Sequence, residues 1–414
     1  MSVGIRHDDL RKRNRALVIS AVRRASQPSR TEIARKTGLS HSTISAISAD
    51  LLTEGVLAEA KGGEAPALKR GRPQVAIGLN PEAAAVIAVV LALNSLSATL
   101  FDYSGKVIAE DHQRLQTLTI GRKELTAETT AIVCRLMRHG GAAGKRVLRI
   151  VMAVQGITDS TARTMLWSPI TAHGDIPFAD LLEEATGIPA TVENDCSMIV
   201  VALRWRDPER YRDDFIAILL SHGIGMGLML RGELFTGTHS SGGEFGHMIH
   251  QPEGALCRCG RRGCVEAYAG SYAIWRHARQ GDDNAPPAAD IDNDEMQALA
   301  AAARQDEGIE RTAFRRAGRA IGYGLGNLFA LIDPAPVAVV GQGASAFDLI
   351  EPSLREAIAQ TAGGQHSQSI TFATEPNEIP LIREGCAMRA LTFVDEELFA
   401  PGLTFQPSAG KDVA

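Results

Sequence analysis

Three cysteines, Cys257, Cys259 and Cys264, fall within eight residues, and His247 stands ten residues before the first of them. Thiolates and a neutral imidazole are the donors that a borderline-soft ion such as Zn2+ prefers. Cys3His is also a donor set of closed structural sites, in which the protein supplies all four ligands. Gly260 and Gly263 allow the tight bends that bring the sulfurs together. The competing reading is a disulfide network. It is disfavoured here because the N-terminus is highly charged and carries no apolar signal region, which implies a reducing compartment. The expectation is a structural Zn2+ held by His247, Cys257, Cys259 and Cys264. Cys134, Cys196 and Cys386 stand alone and read as core residues.

Two other stretches place polar groups at strand ends. In Thr191-Val-Glu-Asn194-Asp195 an amide and a carboxylate follow a buried strand, a pair suited to adjacent hydroxyls of a sugar; the carboxylate could also serve as a general base. His222-Gly223-Ile-Gly225-Met-Gly227 is glycine-rich and could cradle a phosphate, although a lone G-x-G-x-G is a weak signal.

The elements that must carry these groups read as α/β. Strands are expected at 86–90, 98–101, 147–154, 191–193, 215–220, 227–230 and 337–340, and helices at 126–138, 178–186 and 311–332. Ligands usually sit at glycine-rich strand ends in such folds. The segment 281–294 lacks an apolar period and reads as an exposed loop. The longest apolar run, 83–101, is interrupted by Asn94, Ser95, Ser97 and Thr99, which suits two buried strands joined by a turn rather than a membrane span. With reduced cysteines, this reads as a cytoplasmic protein with no membrane partner.

Charge divides the 414-residue chain. Residues 1–80 hold 14 Lys and Arg against 7 Asp and Glu, whereas the rest holds 29 against 41. A basic module on an acidic body suits an appended nucleic-acid reader. Helices are expected at 14–25, 31–37 and 41–53, with Gly38 at the turn and Ser40 as the cap of the third. Ala34, Gly38, Ile44 and Ile47 fall where a helix-turn-helix needs a small contact, a turn glycine and two core positions. Ile44, Ile47 and Leu51 then face inward, while Ser40, His41, Ser42, Thr43, Ser45 and Ala46 lie at or beside the groove of double-stranded DNA. Gly55 to Glu59 followed by Lys61-Gly62-Gly63 suggests a wing. In Lys69-Arg70-Gly71-Arg72-Pro73, Arg70 and Arg72 could enter a minor groove. A helical bundle for dimerisation, with a solvated basic linker, is the alternative.

Taken together, Gly-Gly-Glu-Phe-Gly-His at 242–247, the cysteine cluster with Glu266, Asn194-Asp195 and Gly-Arg-Pro at 71–73 resemble the ROK family (repressors, open reading frames and sugar kinases), in its DNA-binding branch. The resemblance covers nearly the whole chain. It implies an N-terminal winged helix-turn-helix on a two-lobed, actin-like and hexokinase-like (RNase H-like) body with a sugar in the cleft. The reader and basic linker would occupy 1–80. A small lobe would occupy 81–195, completed by a helix at about 382–400, and a large lobe with the zinc loop would occupy 196–381. Asn194, Asp195, Glu244, His247 and Glu266 would contact sugar hydroxyls, with His247 ligating zinc through one ring nitrogen and facing the sugar with the other. The resemblance also implies a homodimer or homotetramer on a near-palindromic operator, with a monosaccharide or sugar derivative as effector.

Kinases of that family carry Asp-x-Gly-Gly-Thr after the first strand, where backbone N–H groups meet ATP phosphate. The corresponding stretch here is Val90-Leu91-Ala92-Leu93-Asn94, without the acidic residue, the glycines or the threonine. His222 and Met226 replace a threonine and a glycine of the second phosphate loop, while Gly341-Gln-Gly343 keeps part of the nucleotide-side motif. Asp195, equivalent to the kinase base, remains. A non-catalytic, sugar-responsive regulator, a repressor rather than an activator, is therefore the leading expectation; an active ATP-dependent sugar kinase with a DNA module is the alternative.

Overall fold

The computed structural model describes residues 7–25, 27–59, 75–240, 242–288 and 291–402. The chain opens with α1 (His7–Ala25), α2 (Arg30–Thr37) and α3 (His41–Thr53). Ser29 and Glu32 form a reciprocal capping box at the start of α2, and Gly38 closes that helix at φ 71°, in the left-handed region where glycine is unstrained. Ser40 caps α3 by accepting from the Thr43 N–H. Val18, Ile19, Val22, Ile33, Ile44, Ile47 and Leu51 are buried between the three helices.

The first wing strand, β1 (Leu57–Glu59), pairs antiparallel with β2 (Ile77–Leu79). The wing therefore returns well beyond Gly63, and the basic stretch lies in the connection between the two strands. Arg70 and Arg72, like Lys61 to Gly63, are outside the described residues.

The body follows as two sheets of identical topology. The first contains β3 (Ala85–Ala92), β4 (Ser95–Asp102), β5 (Val107–Arg114), β6 (Val147–Val154) and β9 (Ala190–Asn194), in the order β5-β4-β3-β6-β9. Between β5 and β6 run α4 (Arg122–His139) and the single turn α5 (Gly141–Gly144). Between β6 and β9 lie the small hairpin β7 (Ile157–Thr158) and β8 (Met165–Trp167), then α6 (Phe178–Thr186). Helix α7 (Asp195–Arg206) leads into the second sheet. That sheet holds β10 (Phe215–Leu220), β11 (Ile224–Leu230), β12 (Glu233–Leu234), β13 (Val337–Val340) and β14 (Phe372–Glu375), ordered β12-β11-β10-β13-β14. In each sheet the first three strands form an antiparallel meander and the last two add in parallel beside the first. The repeated order is the two-lobed actin-like arrangement. The second lobe also carries α8 (Glu266–Ala269), α9 (Ser271–Ala278), α10 (Asn293–Gln305), α11 (Ile309–Ile332) and α12 (Phe347–Ala359).

The last helix, α13 (Glu378–Phe393), continues as a π-helix over Val394–Phe399. It lies against β3, β6 and α7, and α7 in turn packs on β10 and β11. One apolar cluster consequently runs through reader, first lobe, α13, α7 and second lobe, joining Val18, Val90, Ala387, Met198 and Leu219. At the reader the join is polar and buried. Arg23 donates from two nitrogens to the Asp395 carboxylate at 2.7 and 2.8 Å and from a third to the Tyr103 carbonyl, while the Tyr103 hydroxyl donates to Asp395 at 2.5 Å. Both charged side chains are nearly inaccessible, at 3% and 7%. Arg15 pairs with Glu54 and donates to the Phe399 carbonyl at 2.8 Å.

Among the described residues no helix is long and apolar enough to cross a membrane. All six cysteines are unbridged; Cys196 and Cys386 are buried, while Cys134 is only half-buried on α4 rather than in the core.

Candidate functional site

One cleft between the sheets gathers Asn194, Asp195, Glu244, His247 and Glu266. Their routes there differ. Asn194 ends β9 and caps α7, its Oδ1 accepting from the Ser197 N–H and its amide donating to the Gly156 carbonyl at 2.9 Å. Half of its hydrogen-bonding capacity is therefore spent within the protein. Asp195 begins α7, and its Oδ1 accepts from the Cys196 N–H at 2.8 Å. Glu266 heads α8 and is buried; its Oε2 accepts from the Ile224 N–H at 3.2 Å and its Oε1 from the Tyr272 hydroxyl at 3.3 Å. Glu244 and His247 flank a 3-10 turn, with His247 Nε2 3.8 Å from the Glu244 carboxylate.

The other ring nitrogen of His247 faces away from the cleft, Nδ1 standing 3.7 Å from Cys257 Sγ. The ligand atoms of His247, Cys257, Cys259 and Cys264 all lie within 4.8 Å of one another, and Cys259 and Cys264 sulfurs are 3.8 Å apart. A tetrahedral ion with bonds of about 2.3 Å requires edges of about 3.8 Å, so the four donors could hold one metal ion. Burial pushes the Cys257 thiol well up and Cys264 to about 11, which a bound cation would reverse.

The glycines at 223, 225 and 227 have a packing role. A Cβ on Gly223 would lie 2.6 Å from Glu266 Oε2, and one on Gly225 would lie 2.4 Å from Cys196 Sγ. They let β11 and its preceding turn close onto α7 and Glu266, so β11 begins at Ile224 rather than Gly227. Residues 90–94 end β3 and form a two-residue turn, with Ala92 opposite Ser95 and Asn94 at φ 54°. Gly341-Gln-Gly343 leads from β13 into a 3-10 turn, with Gly343 beside a separate cavity of about 320 Å3 lined also by Ser221, Met296 and Phe314.

Burial raises the Asp195 carboxyl from 3.8 to about 7, opposed by the Cys196 N–H and reinforced by Glu244. Burial and Glu266 likewise raise Glu244, against the opposing effect of His247. Because the folded protein holds the Asp195 proton more tightly than the unfolded chain, stability falls as pH rises from about 4 through about 7, by roughly 4 kcal/mol at most. Asp195→Asn is therefore expected to raise the melting temperature at pH 8 far more than at pH 5, while weakening any ligand whose hydroxyl donates to this carboxylate. Unfolding scans at the two pH values check this; equal stabilisation at both would overturn it.

On the reader, His41, Ser42, Ser45 and Ala46 are exposed on one face of α3, whereas Ile44, Ile47 and Leu51 are buried. Ser40 and Thr43 are partly committed to each other, their hydroxyls 2.8 Å apart. Arg35 and Lys36, in the last turn of α2 beside the Gly38 turn, are also exposed.

The ROK family model matches residues 86–379. The chain is 24% identical over 360 residues to the xylose repressor of Caldicellulosiruptor bescii, covering 86% of this chain and 89% of that protein. The crystal structure of a ROK family transcriptional regulator, a homologue of the E. coli MLC protein, superposes with TM-score 0.76 at 22% identity, covering 94% of this chain and 97% of that one. A ROK family glucokinase from Streptomyces griseus, in complex with glucose and AMPPNP, reaches TM-score 0.58 at 23% identity over 73% of this chain and 98% of its own. The kinase thus leaves unmatched a share of this chain that the regulator spans.

Proposed function

The chain belongs to the ROK family, and from that premise we propose that it is a sugar-responsive, DNA-binding transcriptional repressor of sugar metabolism. The observation that carries this reading is the coexistence of a winged helix-turn-helix with a cleft in which three carboxylates and His247 converge beside a four-donor metal cluster. Asn194, Asp195, Glu244, His247 and Glu266 bind sugar hydroxyls. His247, Cys257, Cys259 and Cys264 hold a structural Zn2+, which when bound fixes the His247 ring so that Nε2 addresses the cleft. Ser40, His41, Ser42, Thr43 and Ser45 read operator DNA, helped by Arg70 and Arg72 in the wing connection.

Asp195 is a hydrogen-bond acceptor rather than a working base. The turn after β3 has side chains at Ala92 and Leu93 where close phosphate approach would need glycine, and Leu93 is packed against the first-lobe core. A protein of this kind acts in the cytoplasm as a dimer or tetramer, on half-sites about one helical turn, ~34 Å, or a multiple of it apart.

The test is thermal unfolding against monosaccharides with and without Mg-ATP, followed by operator binding with the sugar that shifts the midpoint. A sugar that shifts the midpoint alone and changes operator affinity supports the regulator; a tenfold change corresponds to ~1.4 kcal/mol of coupling and must appear reciprocally in sugar affinity. ATP turnover lost in Asp195→Asn would favour the kinase.

A further inference from the structure

A groove of about 860 Å3 lies between α11 and α12 and shares no lining residue with the cleft. Along it α11 carries an arginine at every fourth position, Arg311, Arg315 and Arg319, a row spanning about 12 Å of helix. Like charges four residues apart destabilise a helix, and Arg315 and Arg319 are exposed, so burial does not offset the repulsion. Nearby carboxylates do not balance the row. Arg311 and Arg315 share the single carboxylate of Glu307, at 3.3 and 2.6 Å. Arg316 and Arg276 likewise share Asp283, at 2.6 and 3.8 Å. Arg319 pairs with no carboxylate of the described residues. On the α12 side Asp348 is taken up by Arg304, at 2.7 and 2.9 Å. Each shared pair therefore leaves one guanidinium charge over and Arg319 adds another, against which the lining sets only Glu356. The surplus is positive in a body whose Asp and Glu outnumber its Lys and Arg.

Packing holds part of this wall in place. The Arg316 guanidinium lies over the Tyr268 ring, 4.7 Å from its centroid. His250 stands edge-on to Tyr268 with centroids 4.9 Å apart, and Tyr323 stacks on His250 at 5.9 Å. The Tyr268 hydroxyl donates to Gln251 and accepts from the Ala255 N–H, while that of Tyr323 donates to Gln360 at 2.6 Å. Arg316 also donates to His277 Nδ1 at 3.0 Å. A guanidinium only donates, so the His277 hydrogen sits on Nε2, which has no acceptor in the protein. Burial, with Arg316 and Arg319 beside it, holds His250 below its ordinary value, as expected in a positive field. Donors are in surplus here and acceptors in deficit.

We propose that this groove binds a small phosphorylated metabolite, with its phosphate on Arg315, Arg316 and Arg319 and its organic part against Tyr323 and Pro352. The assignment goes beyond the sugar-sensor reading and does not depend on it. Guanidiniums hold phosphate through paired N–H donors, and a phosphate monoester brings close to two negative charges and three acceptor oxygens. The side chains of Arg315 and Glu307 are 51% and 63% exposed, and an ion pair that open to water contributes little. A phosphate can therefore take the place of Glu307 on Arg315 at small cost.

The experiment is calorimetric titration of the zinc-loaded, full-length protein with inorganic phosphate, ribose 5-phosphate and AMP at fixed ionic strength. Ribose and adenosine are titrated in parallel. At least one phosphate compound should bind, and a phosphate ester should bind about tenfold or more tightly than its phosphate-free parent. Arg319→Gln should weaken that binding about tenfold, and Arg319→Lys, which keeps the charge without the paired donors, about threefold. Arg315→Gln should weaken it in the same direction. Because Arg319 is exposed and unpaired, its variants should melt with the wild type when no ligand is present. Affinity for duplex DNA should be the same in wild type and Arg319→Gln; a fall in the variant would assign the arginine row to the nucleic-acid backbone and overturn the proposal. Binding of none of the three phosphate compounds, or unchanged affinity in both Arg315→Gln and Arg319→Gln, also overturns it and leaves the sugar-sensor reading standing.

Discussion

Replacing Cys259 by Ser is expected to release the metal and weaken sugar binding by more than 100-fold, while most of the body stays folded. The large effect on binding follows from shared geometry. His247 belongs at once to the cluster and to the cleft, and Cys257 Sγ lies 3.5 Å from Glu266 Oε1, so the cluster adjoins two of the five cleft residues directly. Without a cation, buried thiols stay protonated and nothing fixes the rotation of the His247 ring. A hundredfold loss corresponds to about 2.7 kcal/mol, well below the ~10 kcal/mol that structural zinc supplies to a small finger. Global unfolding is not expected, because Phe245, Val265, Tyr268 and Ala269 anchor the loop in the second-lobe core together with Phe314 and Leu325 on α11. Metal content by emission spectrometry, sugar titration and thermal unfolding, each repeated on chelated wild type, test this. Unchanged sugar affinity in metal-free protein would show that the cluster does not support the cleft.

The second large effect is expected at the joint between reader and body. Arg23→Ala leaves Asp395 buried without its cation, and breaking a buried pair of this kind costs about 3–5 kcal/mol. The reader should remain folded, since Val18, Ile33, Ile44 and Leu51 form its interior without Arg23. Its orientation on α13 should be lost. On the proposed reading sugar would bind beside Asp195 at the start of α7; α7 packs along α13, and the extension of α13 holds Arg23, so the ion pair lies on a continuous packed route from the cleft to the N-terminal module. Operator affinity should therefore become insensitive to sugar while sugar binding persists. Tyr103→Phe is the milder check: it removes one hydrogen bond to Asp395, costs about 1 kcal/mol, and should reduce the sugar response without abolishing it. A full response in Arg23→Ala would show that another connection carries the signal.

What could be read from the sequence was what neighbouring residues define. The four donors of the candidate metal cluster lie within a short span, and Asn194-Asp195 falls at the end of a strand. Strands 147–154, 215–220 and 337–340 coincide with β6, β10 and β13 because their apolar runs are continuous, or in β6 broken only by Arg149. Helix α3 has a capping serine and its expected bounds. The misses arise where distant segments decide. Helix α13 is buried on several sides, at Leu381, Ile382, Gly385, Cys386 and Met388, so no polar face marks its start, which falls at Glu378 rather than 382. The first strand of the wing finds its partner across the basic segment. The start of β11 was hidden by glycines that resemble a loop in sequence and serve close packing in space.

The ion pair between Arg23 and Asp395 joins residues 372 positions apart. At translation rates of about 5–20 residues per second, the arginine waits roughly 20–70 s for its partner to be made. During that interval the reader can fold, but it has nothing to dock on, because α13 and its extension are among the last parts of the described chain to leave the ribosome. A nascent chain would thus pass through a stage with a complete DNA-binding module whose orientation is unset. Only when residues through 399 have left the ribosome can that module dock on the extension of α13.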